Sequence, residues 1–219
     1  MNTNIELFKN RLKEPIGISS QLRMAPKLRE KELLLYNNDD IKSKSAVLVL
    51  LFLQDNEFSI ILTKRSSNLR KHGGQISFPG GKYDDSDANL QETALREARE
   101  EIGFNSNNVE VLGWLSSLII PITNFVVHPL VVFCKHKPDF SINKEEVERI
   151  IEAPINELTN LSNIKRTSFG NSTSGRFIEA PYFDINGNKI WGATAMIISE
   201  FLLTLFPETD YSKHKMSFY

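Results

Sequence analysis

The sequence predicts a single mixed α/β (α+β) domain, and three features indicate it. The 219 residues are 41% hydrophobic and 24% charged, which is typical of an ordinary globular protein. Many apolar segments have the length of strands and are separated by turns, whereas few have helical periodicity. The chain contains neither an internal repeat nor an interdomain linker. We therefore expect one domain over residues 45–206, an N-terminal arm at 1–44 packed on it, and a C-terminal tail at 207–219.

The N-terminal part predicts one helix and three strands. Residues 46–53 form an unbroken apolar run, as expected for a strand covered on both faces. A polar turn at 54–57 joins this run to a second strand at 58–63, so the two should form a hairpin. Residues 64–81 are rich in glycine and predict a loop that contains one short strand. Within the arm, a short amphipathic helix is expected from Ile5, Leu7, Phe8 and Leu12.

The remaining elements follow from the same patterns. Residues 88–102 predict a helix, and residues 193–206 predict a closing helix with one apolar stripe. Residues 159–175 are rich in Asn, Ser, Thr and Gly and predict a loop. Strands are predicted at 109–120, 125–135, 147–153, 176–184 and 189–191.

Charge and run length exclude several classes of protein. The chain has 26 Lys and Arg against 27 Asp and Glu, so it offers no basic field for nucleic acid. Its longest apolar runs are far shorter than the roughly 20 residues that cross a bilayer, and charged residues interrupt any signal-type segment. The single cysteine, Cys134, excludes an internal disulfide. We expect a cytoplasmic protein without nucleic-acid or membrane partners, and leave a homodimer open.

The helix over 88–102 contains the most informative residues. Asp85, Ser86 and Asp87 are N-cap candidates, and Gly103 should end the helix. At about 100° per residue, one face is apolar and a second, with Glu92, Arg96 and Arg99, should be solvated. A third arc adjoins the apolar face and carries the carboxylates of Glu97, Glu100 and Glu101.

This arrangement of carboxylates is unfavourable for a helix by itself. Glu97 and Glu101 are like charges one turn apart, which costs roughly 0.2–0.5 kcal/mol, and they lie near the helix C-terminus, where anions are disfavoured. A bound cation would offset that cost, and carboxylate oxygens suit Mg²⁺ or Mn²⁺. The alternative is a charged surface helix with an i,i+4 pair between Arg96 and Glu100.

A glycine loop precedes this helix. Phe78-Pro79-Gly80-Gly81 leads through an aspartate-rich stretch into residue 88, and glycines permit a close backbone approach. Such a loop can place a pyrophosphate beside divalent metals. It is not a Walker loop, because Tyr83 follows Lys82 where Ser or Thr is required.

Residues 81–104 resemble the Nudix box, G-x5-E-x7-R-E-U-x-E-E-x-G-U. The first half differs, because Asp87 replaces the Glu and is one residue further from Arg96. That difference resembles the coenzyme A pyrophosphatase subfamily, whose longer signature matches residues 61–104, and residues 190–195 resemble its C-terminal motif. The second half of the box is matched by Arg96, Glu97, Ala98, Glu100, Glu101, Gly103 and Phe104.

The resemblance implies a fold and a set of roles. The fold would be an α/β/α sandwich around a mixed sheet, with a catalytic loop-helix-loop. Glu97, Glu100 and Glu101 would ligate Mg²⁺ or Mn²⁺, Arg96 would orient these glutamates, and Gly80-Gly81 would shape the loop against the helix. The subfamily signature also includes three residues that are candidates for binding the substrate phosphates, with structural ion pairs as the alternative: Arg65, Arg70 and His72.

A general base is also required, and in this superfamily it varies. We favour Glu146, with Glu145, Glu148 and Glu101 itself as rivals. A solvated acidic run is the alternative. Three other residues are expected to be structural rather than functional, namely His128 as a satisfied core histidine, Cys134 as a buried strand residue and Trp191 as a core aromatic.

The sequence therefore favours a metal-dependent enzyme that cleaves coenzyme A or its thioesters into adenosine 3′,5′-bisphosphate and 4′-phosphopantetheine, or the acyl form of the latter. A second hypothesis keeps the chemistry but changes the substrate to another nucleotide such as ADP-ribose. A third is a non-catalytic nucleotide-binding module, against which the three intact glutamates argue.

Overall fold

The computed structural model describes residues 2–27, 29, 43–69, 72–121, 123–171 and 176–206. Its helices are α1 (Asn2–Arg11), α2 (Ile18–Leu22), α3 (Leu90–Ile102), α4 (Ile155–Thr159) and α5 (Gly192–Leu205). Its strands are β1 (Ser43–Gln54), β2 (Glu57–Arg65), β3 (Ile76–Ser77), β4 (Gly80–Lys82), β5 (Glu110–Trp114), β6 (Leu118–Ile120), β7 (Phe125–Cys134), β8 (Val147–Pro154), β9 (Ile164–Asn171), β10 (Arg176–Ile185) and β11 (Asn188–Trp191).

The main sheet has eight strands and is mixed. Its central path runs β3-β2-β1-β7-β5, while β4 pairs with β1, β6 with β7, and β8 with β2. Only β1 and β7 pair in parallel among these strands, and the other pairs are antiparallel. A second, three-stranded sheet has the order β11-β10-β9. The expected hairpin of β1 and β2 is confirmed.

Helices cover both faces of the main sheet. Alternate residues of β1, from Ala46 to Phe52, pack with Ala94, Ala98 and Ile102 of α3. The intervening residues of β1 pack on the opposite face with α1 and α5. Strand periodicity explains this division, because successive side chains point to opposite faces. The result is the predicted α/β/α arrangement, and none of the helices in the described ranges is long and apolar enough to cross a membrane.

The described part of the N-terminal arm packs against α5. The rings of Phe8 and Phe201 meet edge to face with centroids 5.5 Å apart, and Arg11 donates to the carbonyls of Thr204 and Leu205 at the end of α5. Residues 194–205 of α5 are all buried. The single apolar stripe predicted for this helix is therefore too narrow, because the arm covers the side that the sheet leaves open.

Two sequence predictions of local structure are wrong. The predicted loop at 159–175 is wrong over its described part, residues 159–171, because a 3-10 turn at Leu161–Asn163 leads into β9, which pairs with β10 along its length. Polar composition concealed this strand, which is held by cross-strand pairing and by Phe169 packing on Tyr182 and Trp191. The glycine loop also contains β4, which pairs antiparallel with β1. The predicted C-terminal tail at 207–219 lies outside the described residues.

Candidate active site

The acidic residues are positioned by the ends and the buried face of α3. The helix begins after Asn89, whose side chain accepts hydrogen bonds from the amides of Gln91 and Glu92 at 2.9 and 3.1 Å. The N-cap is therefore Asn89 and not the expected Asp85, Ser86 or Asp87. Gly103 ends the helix in the left-handed region, as predicted.

The three glutamates differ greatly in exposure. The side chain of Glu101 is 3% exposed, that of Glu97 18% and that of Glu100 55%. The arc therefore runs from the buried edge of the helix to solvent. This gradient agrees with the prediction that the arc adjoins the apolar face, and it places Glu101 deepest.

The buried carboxylate of Glu101 has two polar contacts. One oxygen accepts a hydrogen bond from the backbone amide of Gly80 at 3.2 Å, and the other lies 3.3 Å from the guanidinium of Arg65. Burial is nevertheless dominant and raises the pKa of Glu101 to about 7. The negative charge of Glu101 is therefore incompletely compensated by the protein.

Glu97 lies against the glycine loop. A Cβ atom at Gly81 would come within 2.3–2.6 Å of the Glu97 carboxylate, so a larger residue there would displace this carboxylate from the loop. Gly80 is constrained differently, because its φ of 149° and its pairing with β1 leave no room for a side chain beside the carbonyl of Ala46. Burial raises the pKa of Glu97. The close approach permitted by these glycines is thus between loop and helix.

Arg96 is anchored by an aspartate in the loop before α3. Its guanidinium donates to the two carboxylate oxygens of Asp87 at 2.7 and 3.0 Å. Asp87 is 4% exposed and also accepts bonds from the Thr93 hydroxyl and the Asp84 amide. The Arg96 guanidinium holds the pKa of Asp87 well below its usual range. The sequence prediction of a solvated Arg96 is wrong, because Asp87 draws it against the loop.

The same guanidinium contacts the exposed end of the glutamate arc. Arg96 donates to Glu97 at 2.9 Å and to Glu100 at 3.1 Å. The predicted i,i+4 pair is therefore present, but it belongs to a larger network that orients two of the three glutamates. The acid nine residues before Arg96, one residue further than in the Nudix box, is the sequence feature that could have indicated this network.

Among the candidate bases outside α3, Glu146 is the one whose charge acts on the glutamates of the helix. Its charge contributes to raising the pKa of both Glu97 and Glu101. Its backbone carbonyl accepts a hydrogen bond from the amide of Ser66, which joins the turn before β8 to the end of β2. Glu148 instead pairs with Lys64 at 2.7 Å, and Glu145 is exposed.

Two of the three side chains predicted to bind the substrate phosphates, those of Arg65 and His72, lie among the described residues. Arg65 contacts Glu101, as above. His72 is exposed, and its Nδ1 lies 3.0 Å from the side-chain oxygen of Gln75. Arg70 lies outside the described residues.

The three residues expected to be structural are placed as follows. Cys134 is buried, and burial raises the pKa of its thiol to about 11. Trp191 stacks on Phe169 with ring centroids 4.1 Å apart. His128 is only half satisfied, because Nδ1 lies 2.8 Å from the Ser117 hydroxyl but buried Nε2 has no hydrogen-bond partner among the described residues. Burial lowers the pKa of His128.

The carboxylates provide suitable donors for a hard divalent cation, but the described residues include no preformed group of three or more His, Cys, Asp or Glu around one point. Each glutamate instead turns toward an arginine, Glu101 to Arg65 and the other two to Arg96. The buried, undercompensated charge of Glu101 fits a cation-binding role.

Comparison with known proteins identifies the class of this domain. The family model of the NUDIX domain matches residues 42–170. Nudix hydrolase 3 of Caenorhabditis elegans is 32% identical over 201 residues, covering 83% of this chain and 80% of that protein. The Nudix hydrolase NudL of Yersinia enterocolitica is 38% identical over 154 residues, covering 70% and 77%. The crystal structure of a MutT/nudix family protein from Enterococcus faecalis aligns with a TM-score of 0.49 at 15% identity, covering 88% of this chain and 70% of that one.

The mixed sheet, the glycine loop and the acidic helix are thus those of a Nudix domain. The chain belongs to the Nudix family and is a Nudix hydrolase. Hydrolases of this family generally use divalent metal ions to cleave pyrophosphate linkages in nucleotide-type substrates.

Proposed function

We propose that this enzyme hydrolyses the pyrophosphate bond of coenzyme A or acyl-coenzyme A. The products would be adenosine 3′,5′-bisphosphate and 4′-phosphopantetheine or its acyl form. The observation that carries the proposal is the segment 61–104, which resembles the coenzyme A pyrophosphatase signature along its whole length. Two described residues of this segment, Arg65 near its start and Gly80 in its glycine loop, both contact Glu101.

In this proposal, Glu97, Glu100 and Glu101 hold Mg²⁺ or Mn²⁺. The bound cation would neutralise the pyrophosphate, lower the pKa of a water and stabilise the leaving phosphate. Arg96 keeps Glu97 and Glu100 oriented, and Asp87 keeps Arg96 in place. Gly80 and Gly81 allow the loop to lie directly on the carboxylates.

We assign the general base to Glu146. Its charge raises the pKa of both Glu97 and Glu101. Its backbone carbonyl accepts a hydrogen bond from the amide of Ser66 at the end of β2. A carboxylate at this position would accept the proton of the attacking water. Glu148 is the weaker candidate, because Lys64 already neutralises it.

The substrate phosphates require cations, and two separate positions are proposed. Arg65 contacts Glu101, so it is assigned to the pyrophosphate rather than to the ribose phosphate. Arg70 and His72 are assigned to the additional phosphate on the ribose of coenzyme A, and both assignments rest on the signature. Arginine suits this task because its planar fork grips a phosphate with two hydrogen bonds.

Product analysis tests the reaction. Purified protein is incubated with coenzyme A and Mg²⁺ or Mn²⁺, beside ADP-ribose and a nucleoside triphosphate. We expect adenosine 3′,5′-bisphosphate and phosphopantetheine, and their formation should stop on addition of EDTA. Cleavage of ADP-ribose without cleavage of coenzyme A would contradict the substrate assignment while retaining Nudix chemistry.

Specificity for the ribose phosphate is tested with Arg70→Ala. Loss of a charge-assisted contact should raise the KM for coenzyme A by about tenfold and leave the KM for 3′-dephospho-coenzyme A nearly unchanged. Arg166→Ala removes an arginine from the second sheet and serves as the matched control. An equal loss for both substrates would show that Arg70 does not contact the ribose phosphate.

A further inference from the structure

Two arginines neutralise the glutamates of α3, and they are held very differently. The guanidinium of Arg96 makes two bonds to Asp87 and further bonds to Glu97, Glu100 and the carbonyl of Lys82. The guanidinium of Arg65 makes a single contact within the described part of the chain, at 3.3 Å to Glu101. Arg96 is therefore fixed by several partners, whereas Arg65 depends on one.

The backbone of Arg65 is nevertheless rigidly placed. Its amide donates to the carbonyl of Gln75 at 2.9 Å, and its carbonyl accepts from the amide of Gly74 at 3.1 Å. The pairing of β2 with β8 shifts register between Lys64 and Arg65, which re-aims the side chain at this point. The Arg65 side chain is 28% exposed, so it retains a route toward solvent. Because the backbone of Arg65 is fixed and its guanidinium has one contact, the guanidinium can change partner without movement of the strand.

The partner of Arg65 is the most buried of the three glutamates. Besides Arg65, Glu101 has the amide of Gly80, which is neutral. A divalent cation at the same carboxylate would carry twice the charge of the guanidinium and would repel it at short range. The guanidinium and the cation therefore cannot both occupy the open side of Glu101.

We propose that Arg65 is the internal counter-ion of Glu101, that it competes with the divalent cation for this carboxylate, and that on release it binds the pyrophosphate of the substrate. The proposal rests on the metal-binding role given to Glu101 under the proposed function. It makes Arg65 a positioning residue for the cation and a binding residue for the phosphate. The guanidinium suits the second task because it matches phosphate oxygens bidentately.

The test measures metal binding without substrate or turnover. Arg65→Gln removes the competing charge, so Mn²⁺ followed by electron paramagnetic resonance should bind about tenfold more tightly than to the wild-type protein. Lys64→Gln is the matched control, since it removes the neighbouring cation of β2, which pairs with Glu148 away from Glu101. Its Mn²⁺ affinity should equal that of the wild-type protein.

Each outcome distinguishes this inference from the proposed function. Unchanged or weaker Mn²⁺ binding by Arg65→Gln, with saturable binding by the wild-type protein, would overturn the competition alone. Absence of saturable binding by the wild-type protein would overturn the metal-binding role of Glu101 and the competition with it. Equal gains in Arg65→Gln and Lys64→Gln would reduce the effect to net charge and overturn the specific role of Arg65.

A second measurement uses only the wild-type protein, so it remains possible if Arg65→Gln does not fold. Arginine side-chain Nε–H resonances are assigned on the wild-type protein through the carbons of each side chain and are followed by NMR during a Mg²⁺ titration. The Arg65 resonance should shift and saturate, whereas that of Arg96 should shift much less because Asp87 holds its Nε. A static Arg65 resonance at saturating Mg²⁺ would overturn the proposal.

Discussion

Two buried glutamates, one on each side of the main sheet, differ in how many hydrogen bonds their carboxylates accept. Glu101 in α3 is 2% exposed when the whole residue is counted, and its partners are one backbone amide and one guanidinium at 3.3 Å. Glu200 in α5 is fully buried and accepts three hydrogen bonds. Burial of the carboxylate is the same in both cases, and the difference lies in how completely its oxygens are satisfied.

The partners of Glu200 come from separate parts of the chain. They are the amide of Gly17, the side-chain amide of Gln21 and the amide of Ser116, at 3.1, 2.8 and 3.2 Å. Glu200 therefore joins the N-terminal arm and the segment between β5 and β6 to α5. A buried carboxylate with its oxygens saturated in this way stabilises one arrangement of the chain.

The contrast separates a carboxylate that joins segments of the chain from one that we propose to be functional. The oxygens of Glu200 are occupied by three amides of the chain itself, whereas Glu101 has one amide and one guanidinium, and burial raises its pKa. We therefore expect substitutions at Glu101 to affect activity and substitutions at Glu200 to affect stability.

Glu101→Gln should produce the largest effect of the changes considered. The amide keeps the shape but loses the charge, so turnover of coenzyme A should fall by about 10²-fold or more while the free energy of unfolding changes by less than about 1 kcal/mol. Steady-state kinetics and thermal melting measure the two quantities. Glu92→Gln in the first turn of α3 is the control, and full activity of Glu101→Gln would remove Glu101 from the catalytic centre.

Glu200→Ala should reverse this pattern. It removes the acceptor of the half-buried amides of Gly17 and Ser116 and of one N–H of buried Gln21, and we expect a loss of about 3 kcal/mol in the free energy of unfolding. Urea denaturation measures the loss, and the turnover of the folded fraction should match that of the wild-type enzyme. The comparison fails if stability is unaffected, or if turnover falls as it does in Glu101→Gln.

Asp87→Asn should have a smaller, mixed effect. It removes the charge that anchors Arg96, so we expect about 2 kcal/mol of lost stability and about tenfold slower turnover. Because the folded-state pKa of Asp87 is depressed, its contribution is present at neutral pH and is lost as pH falls below about 4. The stability difference from the wild-type enzyme should therefore narrow on acidification. Asp85→Asn, at an exposed position, is the control, and equal behaviour of the two variants would exclude an anchoring role.

Cys134 is a third type of buried ionisable group, and its prediction concerns chemical labelling and not turnover or stability. Burial raises the pKa of its thiol to about 11, so at pH 8 it should react with iodoacetamide about 10²-fold more slowly than an exposed thiol. Mass spectrometry follows the alkylation, with the urea-unfolded chain as the reactive control. Rapid labelling of the native enzyme would show that this end of β7 opens readily.

Prediction from the sequence succeeded where local pattern and tertiary environment agree. The β1–β2 hairpin, α3 and the closing helix were all predicted, because periodicity and turn residues specify them locally. It failed for β9, whose polar residues are organised by pairing with β10. Strand pairing of this kind depends on partners elsewhere in the chain, and composition does not reveal it.

The candidate site divides in the same way. The arc of glutamates follows from helical spacing alone. The N-cap was assigned wrongly to residues 85–87, because Asp87 is drawn to Arg96 instead of to the first helical amides. The contact between Arg65 and Glu101 joins residues 36 positions apart and has no sequence signal.

The sequence by itself determined the family, the acidic arc of α3 and the glycines beside it, because each depends on residue types at short, regular separations. The tertiary structure alone decided which carboxylate is buried, which arginine faces it and how firmly that arginine is held. These properties arise from the dielectric environment and from long-range packing, which the order of residues along one helix does not express. Glu101 and Glu200 illustrate the point, since both are glutamates in helices and only their surroundings give them different hydrogen-bond partners.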